Sequence, residues 1–186
     1  MIITKFTGGM LVLLFFMSLL TLFYCFPFNS VNKNLRKTPG LKIFVVATVW
    51  SLLIVVFPII NFTEKLDVSF LIFFIQVLVF VIATIFPFEI RDLNSDCKQL
   101  RTIPQIIGVK NTKVLGFCLL LIFMILDYIQ YLILNFISFK SILINAGICL
   151  TTFTLILKSK ENQSIYFSSF WVESLPILWL LLYIIL

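Results

Sequence analysis

The residues best suited to chemistry lie in one polar stretch, 86–113, which reads FPFEIRDLNSDCKQLRTIPQIIGVKNTK. It holds three carboxylates, Glu89, Asp92 and Asp96. If the chain stays helical there, the spacing i, i+3, i+7 puts all three on one face. Carboxylates so placed repel one another unless a cation sits among them. Hard oxygen ligands suit Mg²⁺, which usually binds through one or two carboxylates plus substrate phosphates. Arg91, Lys98 and Arg101 stand around the acids. Arg meets phosphate oxygens through a planar fork and Lys as a point charge. The set therefore points to the handling of a lipid diphosphate. The plainer alternative is a solvated loop of mixed charge, because D-x-x-x-D alone arises often by chance.

The rest of the 186-residue chain is built to hold this stretch at a membrane. Hydrophobic residues make up 61% and charged residues 12%, against roughly 45–50% and about 25% in soluble domains. Six apolar runs stand at roughly 8–28, 41–60, 67–88, 114–134, 140–157 and 167–186. Each approaches the length that a bilayer core of about 30 Å requires. The expected fold is all-α, a polytopic membrane helical bundle of about six transmembrane helices in one membrane domain, 1–186. The first run exceeds a signal-peptide core and lacks a small-residue cleavage site, so it reads as a retained helix.

Charge placement orients the bundle. Of the 14 Lys and Arg residues, all but Lys5, Lys65 and Lys140 lie in or beside the first, third and fifth loops. This bias puts loops 29–40, 89–113 and 158–166 in the cytoplasm. The net charge of +6 is then a membrane-orienting charge, open to anionic lipid or an anionic substrate. No basic patch interleaved with aromatics lies outside the runs, so nucleic acid is not an expected partner. The chain has no His, which removes His-based zinc sites and Ser-His-Asp triads. Cys25, Cys97, Cys118 and Cys149 form no C-x-x-C pair and read as reduced thiols.

The order Glu89-Ile90-Arg91-Asp92, Asp96, Arg101-Thr102-Ile103-Pro104, Gly108 resembles the second aspartate-rich motif of the UbiA family of intramembrane aromatic prenyltransferases. Residues 32–58 resemble that family's fourth loop and fifth helix, with Lys42 where the family often has a diphosphate-contacting Lys. The resemblance implies that the six runs correspond to helices four to nine of a nine-helix fold. It implies Mg²⁺ held by Asp92, Asp96 and Glu89, with Asp92 and Asp96 catalytic. Lys42, Arg91, Lys98 and Arg101 would face the diphosphate. The implied reaction moves a prenyl group from a prenyl diphosphate to a small, aromatic acceptor, in a bacterial inner membrane.

Three departures accompany the resemblance. The family's N-D-x-x-D motif has no counterpart, Leu100 stands near the place of a family Gly, and Thr38 replaces a frequent Tyr. The expectation is a truncated or inactive relative, or one that works with a separate N-terminal half. The alternative is a non-catalytic transporter-like or assembly protein. Its feature would be Asp127, which shares a helical face with Gln130, Tyr131 and Asn135. Such a polar seam within a span reads first as interhelical hydrogen bonding, and an acid there is also a functional candidate. Glu173 falls near the membrane interface, and Trp50 and Trp179 read as packing or interface anchors.

Overall fold

The computed structural model describes residues 8–25, 40–62, 67–96 and 100–186. Among them the chain is helical, with no strand. The helices are α1 (Gly8–Cys25), α2 (Leu41–Ser51), α3 (Phe57–Phe62), α4 (Val68–Arg91), α5 (Ile103–Leu132), α6 (Phe139–Lys158) and α7 (Leu175–Ile185). A π-helical stretch, Leu52–Val56, joins α2 to α3. Pro58 follows it and has no N–H to give the carbonyl one turn back, and a widened turn accommodates such a loss. A second π stretch, Phe167–Val172, leads into α7, which has Pro176 in its first turn.

Five continuous helical stretches are long and apolar enough to cross a bilayer: Leu41–Ile60, Val68–Asn94, Ile103–Leu132, Phe139–Lys158 and Phe167–Ile185. The 18-residue α1 is equally apolar and supplies the sixth candidate. Over the most apolar 18 residues of each of the five, no more than 33% are buried. The outward surface is crowded with Leu, Ile and Phe, among them Phe15, Ile54, Leu71, Ile125 and Ile185. Water would not solvate such an exterior and lipid tails do. The chain is an integral, multi-pass membrane protein.

Helix α4 is the hub, packing against α2, α5 and α6. Its buried residues include Gln76, Val77, Phe80, Ala83, Phe86 and Ile90. Phe80, Phe123 of α5 and Trp179 of α7 form an aromatic triad with ring centroids 5.0–5.9 Å apart. Asp67 caps α4 by accepting from the Val68 N–H at 2.7 Å, and Ser138 caps α6 by accepting from the Ser141 N–H at 3.2 Å.

The structure departs from the sequence expectation around the third loop. α5 begins at Ile103 rather than 114. Thr102-Ile103-Pro104-Gln105 is a helix-start signal: Pro is tolerated in the first turn, and the Gln105 side chain accepts from the Thr102 N–H at 3.1 Å. Gly108 breaks the path with φ 80° and ψ 160°, a backbone region that glycine enters freely. Within the polar stretch the described residues form a 3₁₀ turn at Asp92–Asn94 and, from Ile103, a short helical segment and a kink. Pro87 lies inside α4, which runs a further turn to Arg91.

Gly116 sets how closely α5 approaches its neighbours. A Cβ there would meet Ile156 Cδ1 at 3.1 Å and Phe86 Cδ2 at 3.2 Å. Small residues at helix contacts in membranes allow this close approach. Gly116→Val should destabilise the bundle by about 1–3 kcal/mol, as overpacking of a tight core does. Thermal unfolding in detergent micelles, compared with Gly147→Val at an open position, checks it.

Candidate functional site

One end of the bundle gathers the start of α2, the end of α4, the start of α5 and the segment after α6. Lys42 and Glu89 join α2 to α4. The Asn94 amide donates to Glu161 Oε2 at 3.4 Å, and Gln163 Nε2 donates to the Pro87 carbonyl at 2.8 Å. These contacts bring the described parts of loops one, three and five to the same end, as the charge alternation expects.

Glu89 is 1% exposed, and its Oε1 lies 2.7 Å from Lys42 Nζ. A carboxylate buried this deeply requires a partner, and α2 brings one within reach because Gly40 turns the chain just before it. Gly40 holds φ 70°, a left-handed conformation that a Cβ would strain. Asp96 reaches the same place after α4 has ended. The α-helix stops at Arg91, a 3₁₀ turn covers Asp92–Asn94, and the Asp96 N–H donates to the Asp92 carbonyl at 2.8 Å. Gln105 Nε2 donates to the Asp96 carbonyl at 3.2 Å, so the α5 cap also fixes the Asp96 backbone. Gly40, Lys42, Glu89, Asp96 and Thr102 line a cavity of about 30 Å³, room for about one water or a bare ion. Asp96 Oδ2 is buried there without a hydrogen-bond partner.

Asp92 is oriented differently. Arg91 Nε lies 2.6 Å from Asp92 Oδ1, and Nη2 lies 3.1 Å from Oδ2. Arg91 Nη1 donates to Ser168 Oγ at 2.7 Å, and the guanidinium sits over the Phe88 ring, 5.5 Å from its centroid. Arg91 thus fastens the turn after α4 to the segment before α7. The expected face of three carboxylates does not form, because the α-helix that would align Asp92 and Asp96 has already ended. Among the described residues no group of three His, Cys, Asp or Glu side chains is placed to hold a metal. Arg101 is exposed, with φ 43°, and Lys98 lies outside the described residues.

Sequence reasoning brought Lys42, Glu89 and Asp96 forward, named Thr102 only as part of the motif without a site role, and missed Gly40, Gln105 and Ser168. The Thr-x-x-Gln capping signature at 102–105 was the available clue for Thr102 and Gln105.

A second polar cluster lies between the helices. Asp127 of α5 is 1% exposed. Its Oδ1 accepts from Gln76 Nε2 at 2.9 Å and from Asn145 Nδ2 at 2.8 Å. Gln76 Oε1 accepts from Gln130 Nε2. Asn145 Oδ1 accepts from Trp179 Nε1 at 2.9 Å and the Tyr183 hydroxyl at 3.3 Å. Of the seam expected from sequence, Gln130 belongs. Tyr131 instead faces the Phe139 ring at 6.2 Å, and Asn135 is exposed beyond the end of α5 with φ 49°. Glu173 is exposed in the turn before α7.

Fold and sites define a helical, multi-pass membrane protein with a charged cavity at one end and an amide-rich cluster in its interior. Compared with protein-family models, with curated proteins and with solved structures, the chain matches none.

The Lys42–Glu89 pair has a consequence for stability. Lys42→Met leaves a buried carboxylate uncompensated and should cost roughly 3 kcal/mol, whereas Lys42→Met with Glu89→Leu removes both charges and should recover most of it. Thermal unfolding of the two single variants and the double variant in one detergent measures the coupling.

Proposed function

We propose that the chain is a UbiA-like prenyltransferase module whose cavity at Lys42, Glu89 and Asp96 binds the diphosphate end of a prenyl diphosphate together with Mg²⁺. The observation that carries this reading is Asp96 Oδ2, a buried carboxylate oxygen without a partner, beside a Lys–Glu pair supplied by other helices. The donor set fits a small, hard cation: one or two carboxylates suffice for Mg²⁺ when phosphate oxygens complete its shell. Asp96 and Glu89 would hold it, and Asp92 would contribute only after releasing Arg91. The cavity has the space of an ion, so the diphosphate would lie over its mouth.

When bound, Mg²⁺ supplies Lewis-acid stabilisation of a departing diphosphate. Lys42 would meet a phosphate oxygen as a point charge, and Arg101, exposed and next in sequence to the cavity-lining Thr102, would serve the diphosphate from outside the cavity. Arg91 keeps Asp92 and the turn in register, acting as a positioning residue. The prenyl tail would lie against the apolar flanks of the helices, with an aromatic acceptor approaching from the bilayer. The reading calls for a second set of acids, which a partner chain carrying an N-D-x-x-D motif would supply. The Lys and Arg bias supports placing this end in the cytoplasm.

The test is binding of geranyl diphosphate to detergent-purified protein by calorimetry, with Mg²⁺ and with EDTA. Binding should require Mg²⁺, and Asp96→Asn should weaken it by about tenfold or more, a loss of about 1.4 kcal/mol. Gly147→Ala, at an open position on α6, should leave it unchanged. Equal binding with EDTA, or equal binding by Asp96→Asn, rejects the site.

A further inference from the structure

The interior cluster carries a different inference, independent of the end cavity. Its hydrogen bonds have a fixed polarity. A carboxylate can only accept, so Gln76 and Asn145 must both turn their amide nitrogens toward Asp127 Oδ1. The Gln76 oxygen then faces away and takes the Gln130 nitrogen. The Asn145 oxygen likewise faces away and takes the Trp179 and Tyr183 donors. Two atoms remain buried without a partner, Asp127 Oδ2 and Gln130 Oε1, and both are acceptors. They belong to residues i and i+3 of α5, which share a helix face. Turning the Gln130 amide over would only set its oxygen against the Gln76 oxygen.

Among the described residues no cation balances this carboxylate. The described residues contain two ion pairs, Lys42–Glu89 and Arg91–Asp92, and neither involves Asp127. On the packed helices, Cys149 of α6 lies within electrostatic reach of it, and Tyr183 of α7 is linked to it through Asn145. Neither carries positive charge. A carboxylate without a counter-charge in a bilayer-spanning bundle is costly and is a candidate functional site.

We propose that Asp127, with Gln130 beside it, binds a small monovalent cation in the bundle interior, delivered as Na⁺ or as a proton. One positive charge cancels one carboxylate, whereas a divalent ion would leave an excess charge in the bilayer. Hard oxygen ligands suit Na⁺, and a proton meets the same need at Oδ2. Gln76 and Asn145 are positioning residues that hold Oδ1, so the free oxygen is presented in one orientation.

The experiment is thermal unfolding of the purified protein in detergent, followed by tryptophan fluorescence. One series replaces choline chloride by NaCl at constant ionic strength, and a second varies pH without Na⁺. Asp127→Asn removes the charge and keeps the shape, and Gln130→Leu removes the second oxygen. A saturable rise in melting temperature with Na⁺ identifies Na⁺. Its midpoint should move to about tenfold higher concentration, or vanish, in Asp127→Asn. Stability that falls as pH rises in wild type but not in Asp127→Asn identifies the proton. The idea is overturned if wild type responds to neither, or if Asp127→Asn responds as wild type does. Should that variant not fold, wild type alone decides. Dialysis against ²²Na⁺ should find one ion per chain, or infrared spectra should show a protonated carboxyl, and absence of both overturns the proposal. Neither readout involves geranyl diphosphate, so this inference and the transferase reading stand or fall separately.

Discussion

The carboxylate of Asp127 imposes an orientation on the interior of this bundle. In lipid the hydrophobic effect does not hold helices together, and packing and interhelical hydrogen bonds take over. Asp127 receives an amide from α4 and an amide from α6, and through Asn145 it engages two residues of α7. Four helices thus share one network with a single direction of donation. The aromatic triad of Phe80, Phe123 and Trp179 involves three of the same helices. Trp179 belongs to both sets, its ring to the triad and its N–H to the network. α7 buries only Leu175 outright, so these contacts supply much of what places it.

The charged end works by another principle. There charges of both signs are close at hand, and each acid of the α4 terminus takes a separate route. Glu89 remains on the helix and meets Lys42, Asp92 turns to Arg91, and Asp96 folds back beneath the α5 cap. The cause is the end of α4 itself. Once the chain leaves the α-helix at Arg91, the seven-residue spacing no longer aligns side chains. The α5 cap and the Gly40 turn then decide what faces the cavity.

Much of the bundle was legible from apolar run length, because a bilayer demands about twenty apolar residues per span whatever the packing. The start of α5 was not, because residues 103–113 are polar enough to read as a loop. Only the capping pattern at Thr102 and Gln105 marks the helix. At the cavity, Lys42, Glu89 and Asp96 were legible as residue types and as a resemblance. That Asp92 would be taken by Arg91 was not, because i, i+1 neighbours on a regular helix diverge and meet only where the helix ends. In the interior, Asp127 and Gln130 were visible by their spacing on one helix. Gln76 and Asn145 were not, because they lie on other helices and a single sequence does not reveal which faces meet.

The two polar regions differ in a way that follows from depth. Gln76 and Glu89 both lie on α4, thirteen residues apart, or about 20 Å along a helix that rises 1.5 Å per residue. At the outer position Lys and Arg side chains reach the acids, since long cationic side chains extend toward the membrane surface. At the inner position amides surround the acid, which lend partial charge and direction but no net charge. A chain selected only for stability would lose little by replacing such a carboxylate with an amide, since Asn could accept the same two hydrogen bonds. Asp127 offers in addition an oxygen without a hydrogen-bond partner, the feature that the proposed cation site would use.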